Sequence, residues 1–200
     1  MNTNAQKNMD NLIENLDTVP TLLIHACCAP CSSYVIEYLS KYFHINILYY
    51  NPNITNPEEY NYRLSEEERL INELPVKHPV KLIKGEYNPK DYLEAVKGLE
   101  NEPEGGKRCE KCFELRLREA AEKCMEIGAD YFLTTLTISP LKNAEKINEI
   151  GQKISEEYGV KYLPSDFKKK NGYKRSIELS REYSLYRQNY CGCVFSRDRV

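Results

Sequence analysis

The chain of 200 residues contains no tryptophan, and no apolar run approaches the length needed to span a membrane. Residues 1–20 are polar and acidic, so they lack the apolar segment of a secretory signal peptide. Neither sign of charge is in large excess, because 28 Lys and Arg against 30 Asp and Glu give a net charge of only -2. This balance neither requires nor excludes an anionic partner. These absences predict a cytoplasmic protein without a membrane segment, in which aromatic stacking depends mainly on the 16 tyrosines.

Cysteine, by contrast, is abundant, with eight residues in the chain. A chain of this length can bury a sufficient core without disulfide staples. Cytoplasmic thiols are kept reduced, so a high cysteine content there points to metal binding or catalysis.

Apolar runs and amphipathic segments alternate along the chain. Five buried strands are predicted, at 21–26, 45–50, 80–83, 131–136 and 160–163. The last helix is predicted at 175–190, running directly into Cys191. Strands separated by long helices predict an α/β fold, an open parallel sheet of about five strands with helices on both faces. Residues 1–19 are expected to be a polar N-terminal extension, and residues 20–200 a single α/β domain.

Seven cysteines fall into three groups at the ends of predicted elements: Cys27, Cys28 and Cys31 after the first strand, Cys109 and Cys112 at a helix start, and Cys191 and Cys193 near the C-terminus. Ligands bind at the carboxyl ends of the strands in open parallel sheets, and a helix N-terminus favours the thiolate form of cysteine. These seven thiols are therefore candidate metal ligands. Cys124 lies within a helical pattern and is predicted to be a small core residue.

The residues alone leave several thiol chemistries open. A single CxxC fits a redox pair, and two distant CxxC motifs fit a structural zinc site. Seven candidate ligands exceed what one zinc ion needs, which favours an iron–sulfur cluster with a second metal or a redox thiol pair beside it. His25 lies two residues before the first cysteine, and a hydrogen-bonded core position is favoured for it over metal ligation.

Polar residues elsewhere suggest where an anionic substrate would bind. Lys142 follows the fourth strand among hydroxyl side chains, which suits either an anion site or ordinary helix capping beside a solvated lysine. Residues 166–175 concentrate five cations among aromatic residues, a pattern that suits phosphate contact with base stacking, or simply a solvated face. Asn51 and Asn53 form a turn after the second strand and would line the same crevice, unless the turn is only structural.

Several separated blocks of the sequence, in order, resemble the cobalamin-independent epoxyqueuosine reductases of the QueH type. The resemblance runs from about Thr21 to Ser196, through the blocks HACCAPCS, YNPNI, GGKRCEKCFELRL, TTLTISPLKN, DFKKKNGYKRS and ELSREYSLYRQNYCGCVFS. It implies a sheet similar to the adenine-nucleotide alpha-hydrolase and PP-loop folds. In this chain the segment from Cys27 to Cys31 replaces the phosphate-binding loop, which implies that the ATP role is lost.

The resemblance also implies a reaction, in which the epoxide of epoxyqueuosine at the wobble position of tRNA is reduced to the cyclopentene of queuosine. It implies a [4Fe–4S] cluster with a second metal, an iron, nearby. The implied ligands are Cys27, Cys28, Cys109, Cys112, Cys191 and Cys193, with Cys31 at a position where a carboxylate would also fit. Whether Cys191 and Cys193 ligate metal or cycle as a redox-active disulfide stays open, as does the proton donor.

The expected partners are tRNA and an electron donor such as a ferredoxin or flavodoxin. Substrate binding is expected at eight residues: Asn51, Asn53, Lys142, Asp166, Lys168, Lys169, Tyr173 and Arg175. Two alternative functions are a zinc-stabilised tRNA-binding module and a thiol–disulfide oxidoreductase.

Overall fold

The computed structural model describes residues 5–197 and contains one parallel sheet. Its strands are β1 (Thr21–His25), β2 (His44–Tyr49), β3 (Val80–Lys84) and β4 (Tyr131–Thr134), in the spatial order β3-β2-β1-β4. The central strand β1 pairs with β2 on one side and with β4 on the other. The strand order therefore reverses beside β1, where open α/β sheets form a ligand-binding crevice at the carboxyl edge.

Helices cover both faces of the sheet. They are α1 (Ala5–Glu14), α2 (Ala29–Leu39), α3 (Pro57–Glu73), α4 (Pro89–Ala95), α5 (Lys107–Glu126), α6 (Ala144–Tyr158), α7 (Gly172–Glu182) and the short α8 (Val194–Arg197). Right-handed crossovers place α2 and α3 on one face and α5 on the other, because the chain reverses direction across the sheet after β3. Helix α7 packs against α2, and α6 packs against α5. The predicted α/β class with helices on both faces is confirmed.

The predicted fifth strand is reduced to a single parallel bridge between Phe132 and Tyr162. Two backbone hydrogen bonds support it, one from Phe132 N to Lys161 O and one from Leu163 N to Phe132 O. The next donor of the ladder would be Ser165 N, but this N–H donates instead to Asn148 Oδ1 on α6 at 3.1 Å, so the ladder does not continue. The sheet in the described part of the chain therefore has four strands rather than about five.

The prediction of a last helix over 175–190 is wrong at its end. Helix α7 ends at Glu182, and Ser184 has a left-handed backbone with φ of 49°. The following backbone is held by α3, since Glu66 accepts a hydrogen bond from Tyr186 N at 2.8 Å and Arg69 donates to Tyr183 O at 3.0 Å. These contacts with a distant helix leave residues 183–193 irregular, so Cys191 and Cys193 lie in a loop.

The fourth predicted strand is also shorter than expected. Strand β4 ends at Thr134, and the chain turns at once into a 3₁₀ helix over Thr135–Ile138. The Thr134 side chain caps this turn by accepting a hydrogen bond from Leu136 N at 3.1 Å. The turn brings the Thr135 hydroxyl to the carboxyl end of β1.

Helix α1, within the predicted extension, packs against the domain. Met9 is fully buried in the core, and the Tyr38 hydroxyl donates to Asp10 at 2.9 Å. Residues 1–4 of the extension and 198–200 of the predicted domain lie outside the described residues.

Gly151 is expected to be required on α6, although alanine normally favours a helix. A Cβ at this position would lie 2.4 Å from the nearest ring atom of Tyr162. Forcing a methyl group into such a contact typically costs about 1–3 kcal/mol, which outweighs the helix-propensity gain of up to about 1 kcal/mol. We expect Gly151→Ala to lower the free energy of unfolding in urea denaturation, whereas the exposed neighbouring change Gln152→Ala leaves it nearly unchanged. Equal stability of the two variants would contradict this packing.

Candidate metal centre

Three thiols meet where β1 passes into α2. The sulfur atoms of Cys27, Cys28 and Cys31 all lie within 4.8 Å of one another, and the Sγ atoms of Cys27 and Cys28 are 3.8 Å apart. Cys28 is the N-cap residue of α2, with extended backbone, yet its side chain makes no capping hydrogen bond. The thiol is therefore directed to its cysteine neighbours rather than to the helix. This cluster (Cys27, Cys28, Cys31) is called the triplet below.

The triplet favours a thiolate at Cys27. The pKa of Cys27 is held well below its usual value because the thiols of Cys28 and Cys31 donate to it and Lys142 and Arg116 lie nearby. Donation to Cys27 in turn raises the pKa of Cys28 to about 12. The Thr135 hydroxyl also donates to Cys27 Sγ, at 3.4 Å. The thiolate is the form of cysteine that binds metal and reacts with electrophiles, so the triplet is suited to metal binding.

Four further thiols line a cavity of about 150 Å³. Cys109 and Cys112 lie in the first two turns of α5, and Gly105 N donates to Cys109 Sγ at 3.2 Å. Cys191 and Cys193 form the rest of the thiol lining. The four thiols that line this cavity (Cys109, Cys112, Cys191, Cys193) are called the quartet below.

The triplet and the quartet line adjoining cavities. The triplet lies in the wall of a larger cavity of about 370 Å³, and Cys191 and Lys142 belong to the walls of both cavities. Arg116 also lines the larger cavity, and its Nη1 atom is 3.9 Å from Cys112 Sγ of the quartet. The three cysteine groups, which are far apart in the sequence, thus converge at one edge of the sheet.

Helix α3 holds the Cys191-Gly192-Cys193 loop in place. Arg63 is buried and donates to Cys191 O at 3.3 Å and to Tyr190 O at 3.4 Å. Gly192 has φ of 106°, and a Cβ there would lie 2.8 Å from Ile54 Cγ1. The loop therefore needs glycine at its centre, both for its conformation and for its close approach to Ile54.

His25 is a buried core residue that supports the wall of the site. Its Nε2 atom is 3.2 Å from Arg116 Nε, and its Nδ1 atom is 2.9 Å from Thr134 Oγ1. Burial and then the Arg116 charge lower the pKa of His25 to about 3, so the ring is neutral. Nε2 also lies 3.1 Å from Tyr50 O, so both ring nitrogens of His25 have hydrogen-bond partners in the core. The hydrogen-bonded core role predicted for His25 is confirmed, as is the buried core position of Cys124.

The predicted substrate residues separate into two sets. Four of them line the larger cavity: Asn51, Asn53, Lys142 and Tyr173. The other four lie outside the walls of both cavities within the described chain: Asp166, Lys168, Lys169 and Arg175.

Two of the basic side chains in the second set are engaged by neighbouring groups. Lys168 donates to Thr137 O at 3.1 Å and pairs with Asp166, and Arg175 pairs with Glu37 at 2.5 Å. A substrate contact by any of these residues stays a prediction.

A family model described as "Epoxyqueuosine reductase QueH" matches residues 22–199 of this chain. Curated proteins named epoxyqueuosine reductase QueH are similar over most of their length. The Staphylococcus epidermidis protein is 49% identical over 88% of this chain and 76% of its own. The Streptococcus pyogenes protein is 44% identical over 98% of this chain and 80% of its own length. The Thermotoga maritima protein is 39% identical over 88% of this chain and 90% of its own length.

The chain belongs to the QueH family. The predicted resemblance is thereby confirmed, and the family is one of oxidoreductases. Within residues 5–197, no helix is long and apolar enough to cross a membrane.

The side chains of this QueH-family protein fit a bound metal. Seven of its eight cysteines line the two cavities, and thiolates are the ligands that iron–sulfur centres and zinc prefer. Arg116 and Lys142 supply positive charge beside these thiols. A cluster of thiolates without compensating cations would be costly to bury, so these two cations make a thiolate-rich site less costly here.

Several cavity residues were not predicted from the sequence, including Arg63, Arg116 and Tyr190. The position of Arg116 could have been predicted from the sequence, because it lies four residues after Cys112 and therefore on the same face of one helix. Arg63 carried no such signal, because its contacts are with a loop more than a hundred residues away along the chain.

Glu67 of α3 is a buried carboxyl group whose two oxygens have no hydrogen-bond partner among the described residues. Burial raises its pKa from 4.5 to about 8. Between these values the folded protein keeps a proton that the unfolded chain has lost, so stability falls as the pH rises.

We expect Glu67→Gln to remove this pH-dependent loss. Relative to the wild type, the variant should gain about 1.4 kcal/mol of unfolding free energy per pH unit between pH 5 and pH 8. Urea denaturation at both pH values measures the difference, with Glu68→Gln as the exposed neighbouring control. A stability difference that is the same at pH 5 and pH 8 would show that Glu67 does not hold this proton.

Proposed function

We propose that this protein is an epoxyqueuosine reductase that converts the epoxide of epoxyqueuosine in tRNA to the cyclopentene of queuosine. The observation that carries this proposal is the convergence of seven thiols on two adjoining cavities in a chain of the QueH family. Removal of the epoxide oxygen requires two electrons, protons and a group that takes the oxygen. A binding module without redox chemistry has no use for so many thiols at one site.

We further propose that the thiols hold a [4Fe–4S] cluster and a second metal, an iron. The proposed ligands are drawn from the triplet and the quartet: Cys27, Cys28, Cys31, Cys109, Cys112, Cys191 and Cys193. When bound, thiolate-held iron supplies electrons and a Lewis acid for the epoxide oxygen. The surplus of thiols over one four-ligand site supports two metal sites rather than one.

The larger cavity is the proposed binding site for the modified nucleoside. Its volume of about 370 Å³ lies within the usual range of small-molecule sites. Asn53 Oδ1 is buried without a hydrogen-bond partner among the described residues and offers an acceptor for a base or a hydroxyl group. Asn51, in contrast, lines the wall with both polar atoms already hydrogen bonded to Arg116 and Ala26. Tyr173 and Tyr190 offer ring faces for stacking at the same wall.

Lys142 is the proposed electrostatic partner of the epoxide oxygen. It lies in the walls of both cavities, and the thiols of Cys191, Cys27 and Cys31 raise its pKa despite its burial. The ammonium group therefore stays charged at neutral pH. As the C–O bond breaks, negative charge develops on oxygen, and a fixed cation in this wall would stabilise it.

The proposed macromolecular partners are a tRNA and a small electron-transfer protein such as a ferredoxin or flavodoxin. Since tRNA is cytoplasmic, the protein is expected there. The basic segment 166–175 is the proposed phosphate contact, and Lys169 and Lys174 are its exposed cations without an ion pair among the described residues. Lys169 is exposed, whereas Arg175 pairs with Glu37, Glu178 and Glu182.

Lys169→Ala is therefore expected to weaken tRNA binding more than Arg175→Ala does. A lost phosphate contact lowers affinity at low salt and reduces the slope of log K against log salt by about one. Fluorescence anisotropy with labelled tRNA at several salt concentrations measures both quantities, with the exposed Lys153→Ala on α6 as control. An unchanged slope in the Lys169 variant would remove this segment from the tRNA interface.

The function is tested by incubating anaerobically prepared protein with epoxyqueuosine-containing tRNA and a low-potential reductant. Digestion to nucleosides followed by mass spectrometry is expected to show loss of one oxygen from the modified nucleoside. Protein that contains zinc and converts nothing would favour the tRNA-binding module. Reduction that survives complete removal of metal would favour a thiol–disulfide oxidoreductase.

A further inference from the structure

Arg116 is a buried cation whose hydrogen bonds involve no carboxylate in the described chain. It lies on α5 one turn after Cys112, and only 1% of the residue is exposed. Its hydrogen bonds run from Nη2 to Asn51 Oδ1 at 2.6 Å, from Nε to His25 Nε2 at 3.2 Å and from Nη1 to Cys112 Sγ at 3.9 Å. Two of these acceptors are neutral, and the third is a thiol of the quartet.

The guanidinium group is held rigidly by its neutral partners. Asn51 also donates from Nδ2 to Ala26 O at 2.9 Å, and His25 is hydrogen bonded to Thr134 at 2.9 Å. Three segments of the sheet edge thus fix Arg116 in one orientation. These hydrogen bonds hold the positive charge of Arg116 at one fixed position in the site.

A buried charge without an opposite charge is costly, so the anion that balances Arg116 must lie nearby. The cavity that Arg116 lines also contains the Glu104 carboxylate, but Glu104 is exposed to solvent, so the buried candidate anions are the thiolates. Cys112 is in direct contact, and the triplet lines the same cavity as Arg116. The guanidinium group therefore lies between the two thiol clusters.

We propose that Arg116 is a positioning residue whose fixed charge promotes assembly of the thiolate-held metal centre and favours its more reduced state. Thiolate-held iron is anionic, and each added electron makes it more so, so that a buried cation at close range stabilises the reduced form more than the oxidised form. Outer-sphere groups of this kind commonly tune metal sites. This inference rests on the proposed function, since it requires an iron–sulfur centre.

The test is a potentiometric titration of the anaerobically prepared holoprotein, followed by its visible and electron paramagnetic resonance spectra. At a given applied potential, Arg116→Gln should lower the ratio of reduced to oxidised centre about tenfold, which is about 59 mV for a one-electron couple. Arg116→Lys keeps the charge and should retain most of the wild-type ratio. Arg118→Gln is the control, because Arg118 lies two residues further on and pairs with Glu114 and Glu157 at the surface.

Asn51→Asp provides a second way to cancel the charge while Arg116 stays in place. The new carboxylate would replace the amide oxygen that lies 2.6 Å from the guanidinium, so the ratio should shift in the same direction as in Arg116→Gln. A wild-type ratio in either variant, at wild-type iron and sulfide content, would overturn the inference. If neither variant takes up iron, uptake by Arg116→Lys would support a requirement for charge, and failure of Arg116→Lys as well would overturn it.

Failure of the proposed function and failure of the proposed role of Arg116 give different results. A wild-type protein without iron and sulfide contradicts the proposed function itself. A wild-type protein with a normal cluster, together with variants of unchanged potential, contradicts only the role of Arg116.

Discussion

Simultaneous replacement of Cys109 and Cys112 by alanine is expected to remove most of the bound iron and sulfide and to abolish measurable reduction of epoxyqueuosine. Both thiols line the smaller cavity with Cys191 and Cys193, and Cys112 is in contact with Arg116. Loss of outer-sphere partners alone typically lowers metal affinity or activity by about 10–100-fold. Loss of two ligands should therefore cost more than about 100-fold in the rate of conversion.

Cys124→Ala is the matched control for this double variant. Cys124 lies on the same helix α5 and is fully buried, but it lines neither cavity. Its thiol donates only to Ala129 O, at 3.4 Å, so its replacement should cost some stability and leave iron, sulfide and conversion intact. Full iron content and normal conversion in the double variant would show that the quartet does not hold the metal centre.

Lys142→Met is expected to lower kcat for epoxyqueuosine by about 100- to 1000-fold while the iron and sulfide content stays at the wild-type level. This is the magnitude observed when one preorganised electrostatic contact to a developing oxyanion is removed. The side chain lies in both cavity walls, at the junction of triplet and quartet. Lys142→Arg keeps the charge and should retain a large part of the rate.

Lys146→Met tests whether the effect is specific to Lys142. Lys146 lies one turn further on and also lines the smaller cavity, but it pairs with Glu149 at 2.7 Å. Conversion by this control should be close to normal. If Lys142→Met raised KM alone, with kcat unchanged, Lys142 would serve in binding and not in stabilisation of the oxygen charge.

The first three strands could be predicted from the sequence to within a residue or two at either end. Short apolar runs bounded by turn residues carry this information locally, as Thr21–His25 and Val80–Lys84 illustrate. The end of α7 could not be predicted, because it depends on contacts from Glu66 and Arg69 of a distant helix. The loss of the fifth strand could not be predicted either, because Ser165 N donates to Asn148 on α6 instead of continuing the ladder.

The convergence of the thiols could also be predicted, since elements of a parallel sheet present their ligands at one edge. The sequence could not reveal which cations stay available. Arg175 is engaged by Glu37, a residue on α2 that is far away in the chain, and Lys168 by a backbone carbonyl. Arg116, a buried cation at the site, lies in a segment whose sequence pattern indicated only an amphipathic helix.

Iron and acid-labile sulfide analysis of the anaerobically purified wild-type protein tests the central claim most directly. We expect both elements in every active preparation, with iron in molar excess over sulfide because the proposed centre includes a second iron beside the cluster. A colourless protein that contains zinc and no sulfide would contradict it.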